Sequence, residues 1–161
     1  MGVVGPDGVG PNPVLRHWQR LSGLPGGKAL FSKAVQFKAP YFRTVNARVE
    51  ELRPNYARLV IRKRRAVENH IGTVHVIAIC NLLEMAMGVL AEASVPAHLR
   101  WIPKGMTVRY TAKAGTDITG VAEVDAGAWT PGDLEVKVRA LDAAGTVVVD
   151  GVIMLWVSAR K

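Results

Sequence analysis

With 161 residues and 21 basic against 13 acidic side chains, the chain carries a net charge of +8. It is long enough for a full hydrophobic core and basic enough to draw an anionic partner, whether nucleic acid, an anionic membrane or a phosphorylated small ligand. Its single cysteine, Cys80, excludes an intrachain disulfide and a cysteine-rich zinc site; flanked by Ile79, Leu82 and Leu83, it reads as an inert buried thiol.

Residues 1–11 lack the basic start and apolar run of a signal peptide. They are expected to form a flexible lead-in to a single domain over 12–161, with the cytoplasm as default location. Asn12-Pro13 is a helix start, Asn as N-cap and Pro at the first helical position. A short helix should run to about Ser22 and break at Leu24-Pro25-Gly26-Gly27. A second, from about Lys28 to Phe37, should end before Pro40. Both read as lids or packing elements.

Two strands follow. Thr44 to Leu52 alternates Val45, Ala47 and Val49 against Asn46, Arg48 and Glu50. After a Pro54-Asn55 turn, Tyr56 to Arg64 returns with Ala57, Leu59 and Ile61 on one face and Arg58, Arg62 and Arg64 on the other, the pattern of an antiparallel hairpin with one wet face. The most apolar stretch comes next, Val74 to Ala91. It is borderline in length for a membrane span, but Asn81 and Glu84 lie near its middle, where polar groups are penalised. A buried core helix from about His75 to Ala93 is the expectation, apolar almost all round and therefore surrounded by protein.

Four more strands complete the chain, at about Lys104 to Thr111, Thr116 to Val124, Leu134 to Leu141 and Thr146 to Ser158. The last is apolar on both faces and should be central and doubly covered, in part by a second subunit. The sum is an α+β layout in which one curled antiparallel sheet wraps one apolar helix.

Burying an unpaired carboxylate costs several kcal/mol. Glu84 within that apolar run must therefore be paired, neutral or facing a cleft where it works, and the last option makes it a catalytic candidate. The first N–H groups of a helix are unpaired and carry partial positive charge, which makes Val76 N–H a candidate oxyanion donor. Each residue also has a plainer reading. Glu84 suits a hydrogen bond to Asn81 or to a loop backbone, His75 a helix cap, and Asn69 a turn.

The layout resembles the hotdog fold. Asn69-His70-Ile71-Gly72-Thr73-Val74-His75 followed by Glu84 is similar to the hotdog acyl-CoA thioesterases of the phenylacetate-pathway type. In that group an Asn precedes the His by six residues and an acid follows it by nine. Met106-Thr107-Val108-Arg109-Tyr110 also resembles the strand after the helix in those enzymes. The resemblance implies a homodimer or dimer of dimers with interfacial sites, hydrolysis of an acyl-CoA, and Asn69, His75, Val76 and Glu84 as the catalytic set. No metal is implied, and no cofactor beyond the coenzyme A of the substrate. Gly72, Arg62, Arg64, Arg65, Lys104 and Arg109 are candidates for holding coenzyme A, the arginines through its phosphates; a solvated strand end is the plainer reading of Arg62 to Arg65.

Two departures mark a less characterised branch. Val76-Ile77 stands where those enzymes carry glycine, and Pro103 or Lys104 where they carry a small hydroxyl residue. Two further functions stay open. A hotdog dehydratase or hydratase acting on acyl-CoA or acyl carrier protein would use the fourteen-residue spacing from His70 to Glu84, although the proline-rich loop and Gly-Val turn between those residues are missing. A non-catalytic acyl-CoA-binding protein would fit the loss of the glycines. Nucleic acid is disfavoured, because the basic residues do not interleave with aromatics.

Overall fold

The computed structural model describes residues 12–161; the expected lead-in over residues 1–11 lies outside them. Helix α1 (Pro13–Leu21) starts as its sequence dictates, with Asn12 Oδ1 accepting from Leu15 N–H at 3.0 Å and Pro13 at the first position. Helix α2 (Gly27–Lys38) folds back on it, and Trp18 meets Phe31 edge-to-face at 5.2 Å. Both rings are buried, so the helical pair joins the main core.

The next segment differs from expectation at its start. Pro40–Thr44 forms a 3₁₀ turn, and strand β1 spans only Arg48–Arg53. Proline fixes φ for the turn's first residue, and Asn46 adopts φ 61°, which interrupts an extended path. Val45, Ala47 and Val49 are nevertheless all buried, as their alternation predicts. A bulge between Val49 and Glu51 then rotates Leu52 inward.

Strand β2 (Tyr56–Ile61) stops three residues short of the expected Arg64. The chain turns away because Lys63 N–H donates to Asp117 Oδ1 at 2.8 Å and the Arg64 guanidinium donates to the Val45 carbonyl at 3.1 Å. A 3₁₀ turn at Arg65–Val67 leads to the loop before helix α3 (Val76–Ser94). Strands β3 (Leu99–Tyr110), β4 (Ile118–Glu123), β5 (Gly132–Leu141) and β6 (Val147–Ala159) follow.

The six strands form one antiparallel sheet in the order β1-β2-β4-β5-β6-β3. Strand β3 starts five residues before the expected Lys104, and Lys104 itself is the extra residue of a bulge between Pro103 and Gly105. A proline fits there because β3 is an edge strand. The sheet curls around α3, whose Leu82, Leu83, Met85 and Leu90 are fully buried. Each such side chain contributes roughly 1.5–3 kcal/mol.

Helix and sheet approach closely at Gly120 of β4, where an added Cβ would stand 2.6 Å from Leu82 Cγ. Length and composition alone would let Val76–Ser94 cross a membrane. Twelve of its nineteen residues are buried within the protein, as expected of a core helix. Strand β6 lies between β5 and β3 and buries Ile153, Leu155 and Val157 against that core. Its other face carries Val152 and Met154, half-buried, and Trp156, exposed, so a single chain leaves that face partly open.

Candidate functional site

The loop from Asn69 to His75 is built around one side chain. Asn69 Oδ1 accepts from Ile71 N–H and Thr73 N–H, both at 3.1 Å, while its amide nitrogen donates to Thr73 Oγ1 at 2.8 Å. Its backbone N–H donates to the Thr73 carbonyl and its own carbonyl accepts from Gly72 N–H. Gly72 has φ 75°, which glycine adopts without penalty. Asn69 is thus the post around which the turn closes, as its plainer reading predicted.

From that turn the chain is pinned on both sides. Val74 N–H donates to the Ala114 carbonyl and His75 N–H to the Val67 carbonyl, each at 2.8 Å. These bonds fix the point where α3 begins. His75 is its N-cap, with Nδ1 accepting from Ile77 N–H at 3.1 Å. A ring nitrogen that accepts is unprotonated, so in this geometry the imidazole proton sits on the exposed Nε2. Val76 N–H has no acceptor among the described residues and remains a free donor at the positive end of a nineteen-residue helix.

Along α3, the stripe that the sheet does not cover differs from the expected all-round burial. Ile77 and Glu84 are exposed, and Cys80, Asn81 and Gly88 half-buried. At 100° per residue these five share one face. Glu84 is therefore solvent-facing in the single chain, with no ion pair among the described residues and no hydrogen bond to Asn81. Asn81 Oδ1 is buried without a partner among the described residues.

Gly88 faces open space, with nothing within 4 Å of where a Cβ would stand. The Cys80 thiol is pushed up from its ordinary value, first by burial and then by the neighbouring Glu84 charge, both of which disfavour the thiolate. Asn81 was not singled out from sequence as a site residue; its place three positions before Glu84 on the same face was the available signal.

The basic candidates divide. Arg64 is spent on backbone carbonyls and Lys63 pairs with Glu68 at 3.0 Å. Arg109 forms a two-pronged pair with Asp150 at 3.0 and 2.9 Å. Lys104 pairs with Asp133 at 2.7 Å and lies over the Trp156 ring. Arg62 and Arg65 are exposed and form no ion pair among the described residues; both precede the loop that carries Asn69. A separate cleft of about 450 Å³, lined by Arg53, Tyr56, Asp125 and Lys137 among others, holds none of the expected site residues. It lies near the far end of α3, where the adjoining Asn55 N–H donates to Ser94 Oγ.

The family described as Domain of unknown function (DUF4442) matches residues 27–157. The chain belongs to the DUF4442 family. A structural-genomics protein, APC5556, is 41% identical over 91% of this chain and 99% of its own, with a TM-score of 0.81. A Pseudomonas aeruginosa protein of unknown function, described as a probable thioesterase, is 28% identical over 85% of this chain and 97% of its own, with a TM-score of 0.71. A thioesterase family protein from Silicibacter pomeroyi shares the fold at 18% identity, covering 80% of this chain and 96% of its own, with a TM-score of 0.68. No curated protein matches the chain. The fold is the hotdog fold of these thioesterase-family proteins, as the curled sheet around α3 led us to expect.

Proposed function

We propose that this DUF4442 protein is an acyl-CoA thioesterase whose site is completed at a dimer interface. The observation that carries the reading is the open stripe of α3, which presents the Glu84 carboxylate on the same helix whose free Val76 N–H forms the positive end. The similarity to a described probable thioesterase supports it.

Glu84 lies about 13 Å along the helix from His75, at 1.5 Å per residue. One helix cannot bring both to a single carbonyl group. Two copies of α3 packed antiparallel along their open stripes would set Val76 and His75 of one chain near Glu84 of its partner. The free edge of β3 and the half-open outer face of β6 support pairing between copies, since a long unpaired strand edge is otherwise an aggregation hazard.

In this arrangement the thioester oxygen accepts from Val76 N–H and the charge that develops on it is met by the helix end. His75 Nε2–H supplies a second donor. Glu84 takes a proton from the attacking water, or attacks the carbonyl carbon itself, expelling the thiolate and forming a mixed anhydride that water then hydrolyses. Either route releases a carboxylic acid and the coenzyme A thiol. Asn69 acts by position, holding the turn that aims His75. Arg62 and Arg65 are the cations left to meet the phosphates of coenzyme A, with Gly72 between them and the helix entry; Arg64, Lys104 and Arg109 are engaged elsewhere. No metal or further cofactor enters the scheme.

Thiol release from short, medium, long and aryl acyl-CoAs tests this. Wild type should hydrolyse at least one class and Glu84→Gln should not. Equal rates in both proteins, or no release from any substrate, would sink the assignment.

A further inference from the structure

Charge is unevenly distributed along this chain. Residues 12–47 hold six basic side chains and no acid, while residues 48–161 hold fifteen basic against twelve acidic. Six of the nine excess positive charges of residues 12–161 therefore sit on α1, α2 and the 3₁₀ turn after them. Among the described residues, Lys28 alone of these six is ion-paired, to Glu50 at 3.3 Å. Arg16, Arg20, Lys33, Lys38 and Arg43 are exposed and have no carboxylate partner among the described residues.

The same segment exposes large apolar side chains. Leu30 is 59% exposed and Phe37 82%, with Ala34 exposed between them. At 100° per residue these three lie within about 60° of one another on α2, opposite Ser32 and Gln36, which pack inward. Lys33 and Lys38 fall on the two flanks of the stripe. Leu24, 58% exposed before the helix, and Tyr41, 71% exposed after it, extend the apolar line at either end. An apolar stripe between basic flanks is the pattern of a helix that lies in a membrane interface, and a tyrosine at the end of such a line suits the headgroup level.

We infer that the outer face of α2, with Leu24 and Tyr41, docks on an anionic lipid surface. Charge complementarity selects this occupant. A second copy of the chain laid on the same face would set cations against cations, with no acid in the segment to pair them. A nucleic acid would satisfy the charges and offer nothing to Leu30, Ala34 and Phe37. The position also suits it. Helix α2 packs on β1, one edge of the sheet, whereas β3, the edge proposed to join two copies, is the other. The inference does not depend on the thioesterase reading.

The test is co-sedimentation of the full chain with vesicles of phosphatidylcholine alone and of phosphatidylcholine with phosphatidylglycerol, at about 0.1 M salt, where surface charge still acts over about 10 Å. The wild type should bind the anionic vesicles and leave the neutral ones. Binding should fall at least about tenfold in Leu30→Ser/Phe37→Ser and in Lys38→Glu/Arg43→Glu. All four side chains are exposed, and unchanged melting temperatures would show that both variants fold. Failure of the wild type to bind anionic vesicles would overturn the inference. So would retained binding in Leu30→Ser/Phe37→Ser, since the stripe would then play no part. Dissociation of a wild-type oligomer by that variant without lipid would also overturn it, by assigning the face to a second copy.

Discussion

Helices α2 and α3 each turn one face to the protein and leave another uncovered, but the uncovered faces are opposites. That of α2 carries Leu30, Ala34 and Phe37 between lysines. That of α3 carries small or polar residues, Cys80, Asn81, Glu84 and Gly88, on an otherwise apolar helix. Bulky apolar groups with charged flanks suit a soft, fluid surface that closes around them. Small residues, a buried amide oxygen without a partner and one carboxylate suit the close approach of a defined surface. The same device, an incompletely covered helix, thus points to two kinds of partner.

The sharpest way to break this comparison is to remove the α3 carboxylate. Glu84→Gln keeps the shape of the stripe, and the loss of a general base or nucleophile is expected to lower thiol release by roughly 10²–10⁴-fold with little change in melting temperature. A variant that lost stability together with activity would instead make Glu84 a structural acid.

Blocking the approach of a second helix should be almost as costly. Gly88 has open space around its Cα, so Gly88→Arg adds bulk that the single chain accommodates, and it raises helix propensity by up to about 1 kcal/mol. We expect light scattering to show the variant as a monomer and thiol release to fall to background. A dimer that persists with full activity would remove α3 from the interface.

The covered face should answer differently. Gly120→Ala drives a Cβ to 2.6 Å from Leu82 Cγ, and overpacking of that kind costs about 1–3 kcal/mol. In a chain of this length that is a fall of roughly 2–12 °C in melting temperature, read by calorimetry, with the activity of the folded fraction preserved. Asn69→Ala lies between the two behaviours. It deletes three side-chain bonds that close the loop, at about 1–3 kcal/mol, and by loosening His75 it should reduce turnover more than it raises KM.

How much of this was legible beforehand depends on angle. The cap of α1, the span of α3 and the last two strands follow from residues whose preferences are local, such as Asn12-Pro13 and Pro96. The uncovered sector of α3 was hidden because an apolar run looks alike all round; only the smallness of Cys80, Asn81 and Gly88 marked it. Arg64 read as a strand residue because nothing in its neighbours reveals that its guanidinium reaches the carbonyls of Thr44 and Val45. Lys104 likewise gave no sign of the bulge it occupies, since pairing with β6 across the sheet decides that. The Asn69, His75 and Glu84 spacing was visible as a pattern. Which of their readings applied, with Asn69 holding the loop and His75 capping the helix, needed the fold.

The smallest expected effect concerns Cys80, which shares the open stripe with Glu84. Its thiol lies above the ordinary 9.0, with burial as the larger cause and the Glu84 charge as the smaller. Both disfavour the thiolate, so alkylation at pH 8 should be slow in the wild type and quicken as the pH rises through the raised value. Glu84→Gln removes only the smaller cause and should speed alkylation modestly. Gly88→Arg, by opening a paired stripe to water, should relieve burial and speed it further. If Glu84→Gln leaves the alkylation rate unchanged while Gly88→Arg raises it, the stripe is covered in solution and the Glu84 carboxylate lies turned away from Cys80. If neither variant changes it, the stripe is open and no second helix lies against it.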